Sequence, residues 1–223
     1  TGNSLSNVET ADIASGSKTG SDTTLVTGTA GTNGNLVSWN ADGDAVDSSV
    51  VAANVITTSN TASTSASGIV ELATAAETTT GTDTGRAVTP DGLAGSDFGK
   101  TVVSILVSDP NGDAITTGDG KAYWRVPATL DGFNLVDVEM AVTTASTSGT
   151  PTVQIHNVTD TADMLSTSLT IDANETDSST AATAAVINTA TDDVATADML
   201  RIDIDTAGTG TKGLMVELTF QLP

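Results

Sequence analysis

The chain contains no cysteine, which excludes disulfides and thiolate metal sites. Aromatics make up only 3% of its 223 residues, so a core would be built from Val, Ile, Leu and Ala. Basic residues are scarce: 7 Lys and Arg face 28 Asp and Glu, a formal net charge of −21. That balance disfavours binding to a nucleic-acid backbone or an anionic membrane surface. The acidity has a plain reading, solubility, and a functional one, attraction to cations or a basic partner. No run of about 18 apolar residues occurs, so no segment is expected to insert in a membrane. The first residues lack the basic flank and apolar stretch of a signal peptide. Histidine occurs once, as His156, so a Ser-His-Asp site would have to use it. No Gly-x-Ser-x-Gly elbow accompanies it.

What is present is mostly Thr, Ser, Ala, Gly and Asp. Thr and Val favour strands, while Gly, Asp and Asn punctuate turns, so the composition predicts an all-β chain rich in loops. From Lys100 onward apolar and polar residues alternate cleanly. Val102–Val107, Ala122–Val126, Leu135–Thr143, Thr152–Val158, Met164–Ile171, Ala184–Asn188 and the runs around Ile202 and Leu218 read as half-buried antiparallel strands. In Leu135–Thr143 the alternation places Val136, Val138, Met140 and Val142 on one face. About eight strands with turn clusters between them predict an antiparallel β-sandwich, jelly-roll-like, over residues 99–223. The last strand ends at the C-terminus, which is expected to be pinned in a sheet. A domain boundary is expected near Gly99.

Residues that could carry chemistry are few. Asp109, Asn111 and Asp113, with Asp119 further on, have the alternate spacing with which one loop wraps Ca²⁺, and Asn40, Asp42 and Asp44 repeat it. The same residues are ordinary turn formers, so turn without metal is the competing reading and no cofactor is otherwise implied. Lys121, Tyr123, Trp124 and Arg125 concentrate basic and aromatic character on one strand. Alternation puts Tyr123 and Arg125 on one face and Trp124 on the other. Either Trp124 fills the core with Tyr123 and Arg125 at a packing edge, or the group is a contact surface for a neighbouring subunit or a glycan. His156, on the polar face of its predicted strand, reads as a surface or groove residue and is a further candidate for such contact. Paired carboxylates for sugar cleavage arise by chance among so many acids, and few aromatics are free to stack on a substrate, so no enzyme is expected. Asn157-Val-Thr159 and Asn174-Glu-Thr176 match the glycosylation triplet, again expected by chance in a Thr-rich chain.

The first 99 residues look different. Residues 1–23 carry Leu5, Val8 and Ile13 as their only sizeable apolar groups and read as a flexible tail or as an anchor ordered on docking. Gly34–Val50, GNLVSWNADGDAVDSSV, predicts a hairpin turning at Asp42-Gly43. Thr57–Ser67 has no large apolar residue. Gly68–Leu93, GIVELATAAETTTGTDTGRAVTPDGL, holds a short strand, a turn-rich link and a helix start with Thr89 as N-cap and Pro90 at the first helical position. Ala94–Gly99 reads as a hinge-like connector. Alone, these elements bury too little apolar surface to fold, which points to an oligomer.

Residues 68–93, and less specifically 34–50, resemble the short repeat of bacteriophage fibre proteins. The resemblance covers under a quarter of the chain, and the Arg-Ala-Val-Thr-Pro unit occurs once where such fibres often repeat it, which implies a short shaft. It implies a homotrimeric virion appendage, tail or head fibre. Residues 1–23 would attach to another virion structural protein, 24–98 would form an intertwined shaft, and the C-terminal domain would meet a host-surface glycan or protein. A collar at 68–93 would hold the chains in register, with an ion pair between subunits expected at Arg86 amid Glu77, Asp83 and Asp91. A capsid decoration protein without receptor binding and a bacterial surface adhesin are the alternatives.

Overall fold

The computed structural model describes residues 35–39, 45–51 and 61–223. The segment 1–23 and the Asn40–Asp44 loop lie outside these residues. The fold is mostly β, with antiparallel sheets and two short helices. The division into compact units falls between Ile69 and Val70. In the first unit β1 (Asn35–Trp39) and β2 (Ala45–Val51) form the antiparallel hairpin that the turn signal predicts, with Val37 opposite Asp47 and Trp39 opposite Ala45. The register shifts between Asn35 and Val37, where Ser49 on the facing strand takes a φ of 60°.

The second unit opens with β3 (Glu71–Leu72), α1 (Ala75–Thr80), β4 (Arg86–Ala87) and α2 (Pro90–Ala94), followed by a 3-10 turn at Asp97–Gly99. β3 and β4 pair in parallel. The stretch read from sequence as a turn-rich link is thus partly helical. Thr74-Ala-Ala-Glu77 is a capping box: the Glu77 amide donates to the Thr74 hydroxyl at 3.3 Å, and the Thr74 amide donates back to the Glu77 carboxylate at 3.0 Å. Gly81, at φ 65°, closes the helix in the left-handed conformation a side chain resists. α2 starts as expected, with the Gly92 amide donating to Thr89 Oγ1 at 3.0 Å. The connector after it is not a free hinge. Gln221 Nε2 donates to the carbonyls of Ala94 and Ser96 at 2.8 and 3.1 Å. Gly99 packs so closely on Ala94 that a Cβ there would lie 2.1 Å from its carbonyl oxygen.

The remaining strands are β5 (Lys100–Leu106), β6 (Gly118–Arg125), β7 (Phe133–Ala141), β8 (Thr152–Asn157), β9 (Ala162–Asp163), β10 (Leu165–Thr167), β11 (Leu169–Thr170), β12 (Val186–Ile187), β13 (Asp193–Val194), β14 (Met199–Thr206) and β15 (Met215–Gln221). One sheet runs β11-β8-β14-β6, with β9 also paired to β8. A second runs β13-β7-β15-β5, and β10 pairs with β12 alone. The last strand sits between β7 and β5, so the C-terminus is held on both sides. Both larger sheets turn their apolar residues into one core: Val153, Ile155, Leu200 and Ile202 from the first, Leu135, Met140, Val216 and Phe220 from the second. Trp124 stacks on Phe220 with ring centres 5.7 Å apart.

Two sequence expectations fail for physical reasons. In β7 the register slips: Thr219 faces Asp137 but Phe220 faces Leu135. The extra residue is Val136, a β-bulge. Leu135 is therefore fully buried and Val136 is exposed, the reverse of the simple alternation. The run Met164–Ile171 is not one strand. It changes partner at Ser168, β10 joining β12 and β11 joining β8. Among the described residues no helix is long and apolar enough to cross a membrane.

Candidate functional site

The outward face of the β11-β8-β14-β6 sheet gathers three of the residues singled out from sequence, Tyr123, Arg125 and His156. Register aligns Tyr123 on β6 with Arg201 on β14, Arg201 with His156 on β8, and His156 with Asp163 on β9. Neighbouring strands lie roughly 4.8 Å apart, so these four form one row across the sheet. Tyr123 is 58% exposed. His156 Nδ1 and Asp163 Oδ1 are 2.7 Å apart. Arg125 is exposed further along β6, and among the described residues no carboxylate pairs with it.

The row is braced by a buried carboxylate. Asp203 is only 5% exposed. Arg201 Nε and Nη2 donate to its Oδ2 at 3.0 and 2.7 Å, and Nη2 also reaches Asp119 Oδ2 at 3.3 Å. The Gly120 amide donates to Asp203 Oδ1 at 2.7 Å. This amide is free because β6 bulges there: Ile202 faces Ala122 and Ile204 faces Gly118, leaving Asp203 opposite three residues. Gly120 takes a φ of +69°, and a Cβ on it would lie 2.4 Å from Tyr123 Oη. Tyr123 therefore lies over a glycine that leaves room for its ring. The hydrogen bond to Asp203 is the main cause holding the Arg201 guanidinium above its ordinary pKa, so it stays charged.

Sequence reasoning placed Tyr123 and Arg125 together and Trp124 on the opposite face, and these residues are so arranged. Trp124 belongs to the core rather than to the surface. Arg201, Asp203 and Asp163 were not singled out. The Arg201-x-Asp203 spacing on an alternating strand was the available signal, since it sets both groups on one face.

The oxygen-rich loop does not converge on a cation. Asp109 Oδ1 accepts from the Asn111 amide at 2.8 Å, and the Gly112 amide donates to the Asp109 carbonyl at 3.1 Å, which makes a turn. Asp119 is drawn to Arg201 instead of joining Asp113. Among the described residues no group of three or more His, Asp or Glu side chains gathers to hold a metal. Asn157 is 1% exposed, and its Nδ2 donates to Asp160 and Asp198 at 2.8 and 3.1 Å, so its amide is closed to glycosylation.

Arg86, on β4, meets carboxylates of its own chain. Its guanidinium pairs with Glu77, with Glu71 at 3.3 Å and with Asp83 at 3.3 Å. Glu71 was not anticipated. Asp91, expected in the same group, stands in the first turn of α2 instead. The cluster ties β3, α1 and β4 into one piece. Compared with known protein families, characterised proteins and solved structures, the chain gives no match.

Proposed function

We propose that this protein is a non-enzymatic virion fibre of a bacteriophage, a homotrimer whose N-terminal segment docks on the particle. Residues 24–98 form the intertwined shaft, and the C-terminal jelly-roll-like β-sandwich is the tip that meets the host surface. One observation carries the reading. The stretch that resembles the fibre repeat is braced and capped, yet it and the connector after it leave large apolar side chains exposed. Val70, Leu72, Val88, Leu93 and Phe98 are all exposed, Phe98 by 69%. Exposed apolar patches mark contact sites, and these side chains lie within one short stretch of the chain. Chains wound around an axis would cover them. Joining three weak tips also converts a low single-site affinity into firm attachment.

The exposed Tyr123 and Arg125, with the half-buried Arg201 and His156 in the same row as Tyr123, are the contact face of the tip. Its two candidate counterparts are a neighbouring chain and a host glycan or protein.

Light scattering on the purified chain tests the assembly, with a mass of three chains expected. The double variant Leu72→Asp/Phe98→Asp is expected to lower that mass toward one chain. A monomeric mass for the native chain at micromolar concentration would sink the reading. Competition tests the role: purified protein is expected to block adsorption of particles that carry it. Failure to compete, together with a trimeric mass, would leave a decoration role on the particle.

A further inference from the structure

Among the described residues, the outward face of the other sheet leaves apolar side chains exposed. Its register sets three rows across β5, β15 and β7: Leu106, Met215 and Ala141; Ser104, Glu217 and Glu139; Val102, Thr219 and Asp137. Leu106 is 61% exposed, Val102 58% and Met215 37%. Beside the apolar row runs a groove of about 160 Å³ whose lining includes the apolar Met140, Met215 and Ala141 and the carboxylates Glu139, Glu217 and Asp177. Glu139 and Glu217 stand directly opposite each other, an arrangement that repels. Ser104 donates to Glu217 at 2.6 Å, and among the described residues no cation pairs with either glutamate.

We propose that this face docks a second copy of the same chain, which inserts Arg125 and Tyr123 from the outward face of its five-stranded sheet. The complementarity is one of charge and of shape. Arg125 is an exposed cation that no carboxylate pairs with among the described residues, in a chain where carboxylates outnumber Lys and Arg 28 to 7. It stands two residues from an exposed tyrosine, and aromatic and Arg side chains are the usual anchors of interfaces. The groove offers the reverse, an apolar lining for a ring or an aliphatic stem and carboxylates for the guanidinium. Because the two surfaces belong to different sheets of one molecule, the contact is head-to-tail. Such contacts close into rings when the rotation allows, and a ring of three matches the proposed homotrimer. The proposal rests on the homotrimer reading and places Tyr123 and Arg125 between chains rather than against the host.

The absence of cysteine makes the test clean. In the full chain carrying Arg125→Cys and Met215→Cys, mild oxidation is expected to give covalent species of two and three chains on a denaturing gel. Neither single variant is expected to do so. Both positions are exposed, so the core is untouched. A native trimer whose double variant stays trimeric without this ladder overturns the docking while leaving the fibre reading in place; a monomeric mass for the native chain overturns both. A second test needs no new bond. Arg125→Glu is expected to weaken association about tenfold, a loss of roughly 1.4 kcal/mol. Adding Glu217→Arg to it is expected to restore association. Arg125→Glu trimers that dilute apart no sooner than native ones would overturn the proposal.

Discussion

Asp203 does the work of several residues. It neutralises Arg201, satisfies the Gly120 amide and so keeps the β6 bulge closed under Tyr123. Asp203→Ala would leave a partly buried guanidinium with only Asp119 and would orphan an amide. The expected loss is about 2 kcal/mol in urea unfolding, short of a fully buried pair because Arg201 keeps some water. Asp203→Asn keeps an acceptor for Gly120 and is expected to lose less. A second residue controls acid behaviour. Asp131 Oδ1 accepts from the amide and hydroxyl of Thr196 at 2.7 and 2.9 Å, and these bonds hold its carboxyl below the ordinary 3.8. The unfolded chain then takes up a proton first, so this contribution is present above 3.8 and is lost as pH falls through the folded value. Melting curves at decreasing pH are expected to fall less steeply for Asp131→Asn than for the native chain. Asp160 works in the opposite sense. Burial, then Asp198 and Asp193, raise its pKa, so its contribution is present below 3.8 and is lost as pH rises through the folded value.

Elements show where sequence patterns were sufficient and where they were not. The start of α2 was legible because a threonine N-cap and a proline act locally. α1 was missed although its capping box stands in the sequence, because a run of Thr and Gly around it reads as a turn. The bulge at Val136 could not be read at all. It exists because β15 sets Leu135 against Phe220, a partner 85 residues away. The two-residue strands β9 and β13 have no period to detect. The link between α2 and the last strand is similar: Gln221 looks like one more polar residue on an alternating strand, yet it fastens the connector after α2 to the sheet. Gln221→Ala is expected to speed amide exchange in residues 92–99 about tenfold while leaving the core strands unchanged. Equal acceleration throughout would mean that the bond contributes to global stability instead.

Across the whole molecule, exposed apolar side chains support the proposed assembly, which must overcome the mutual repulsion of chains with a formal charge of −21. Obligate oligomers unfold and dissociate together, so the melting temperature is expected to rise with protein concentration. A concentration-independent value would count against a trimer. The acidic loop at Asp109 was read from sequence as either a turn or a calcium site, and the fold favours the turn because Asp119 is committed to Arg201. EDTA is therefore expected to leave the melting temperature unchanged.

By itself the sequence determined the β character, the aliphatic core, the place of Trp124 opposite Tyr123 and Arg125, the hairpin at β1–β2 and the cap of α2. Each follows from side-chain period or from bonds between residues close in the chain. Only the tertiary structure decided that Arg201 and Asp203 underlie the Tyr123 face, that Val136 points outward, that Arg86 is held by Glu71 and that Gln221 closes the connector. Those facts depend on register between strands remote in sequence, and register is set by how both sheets pack against one core.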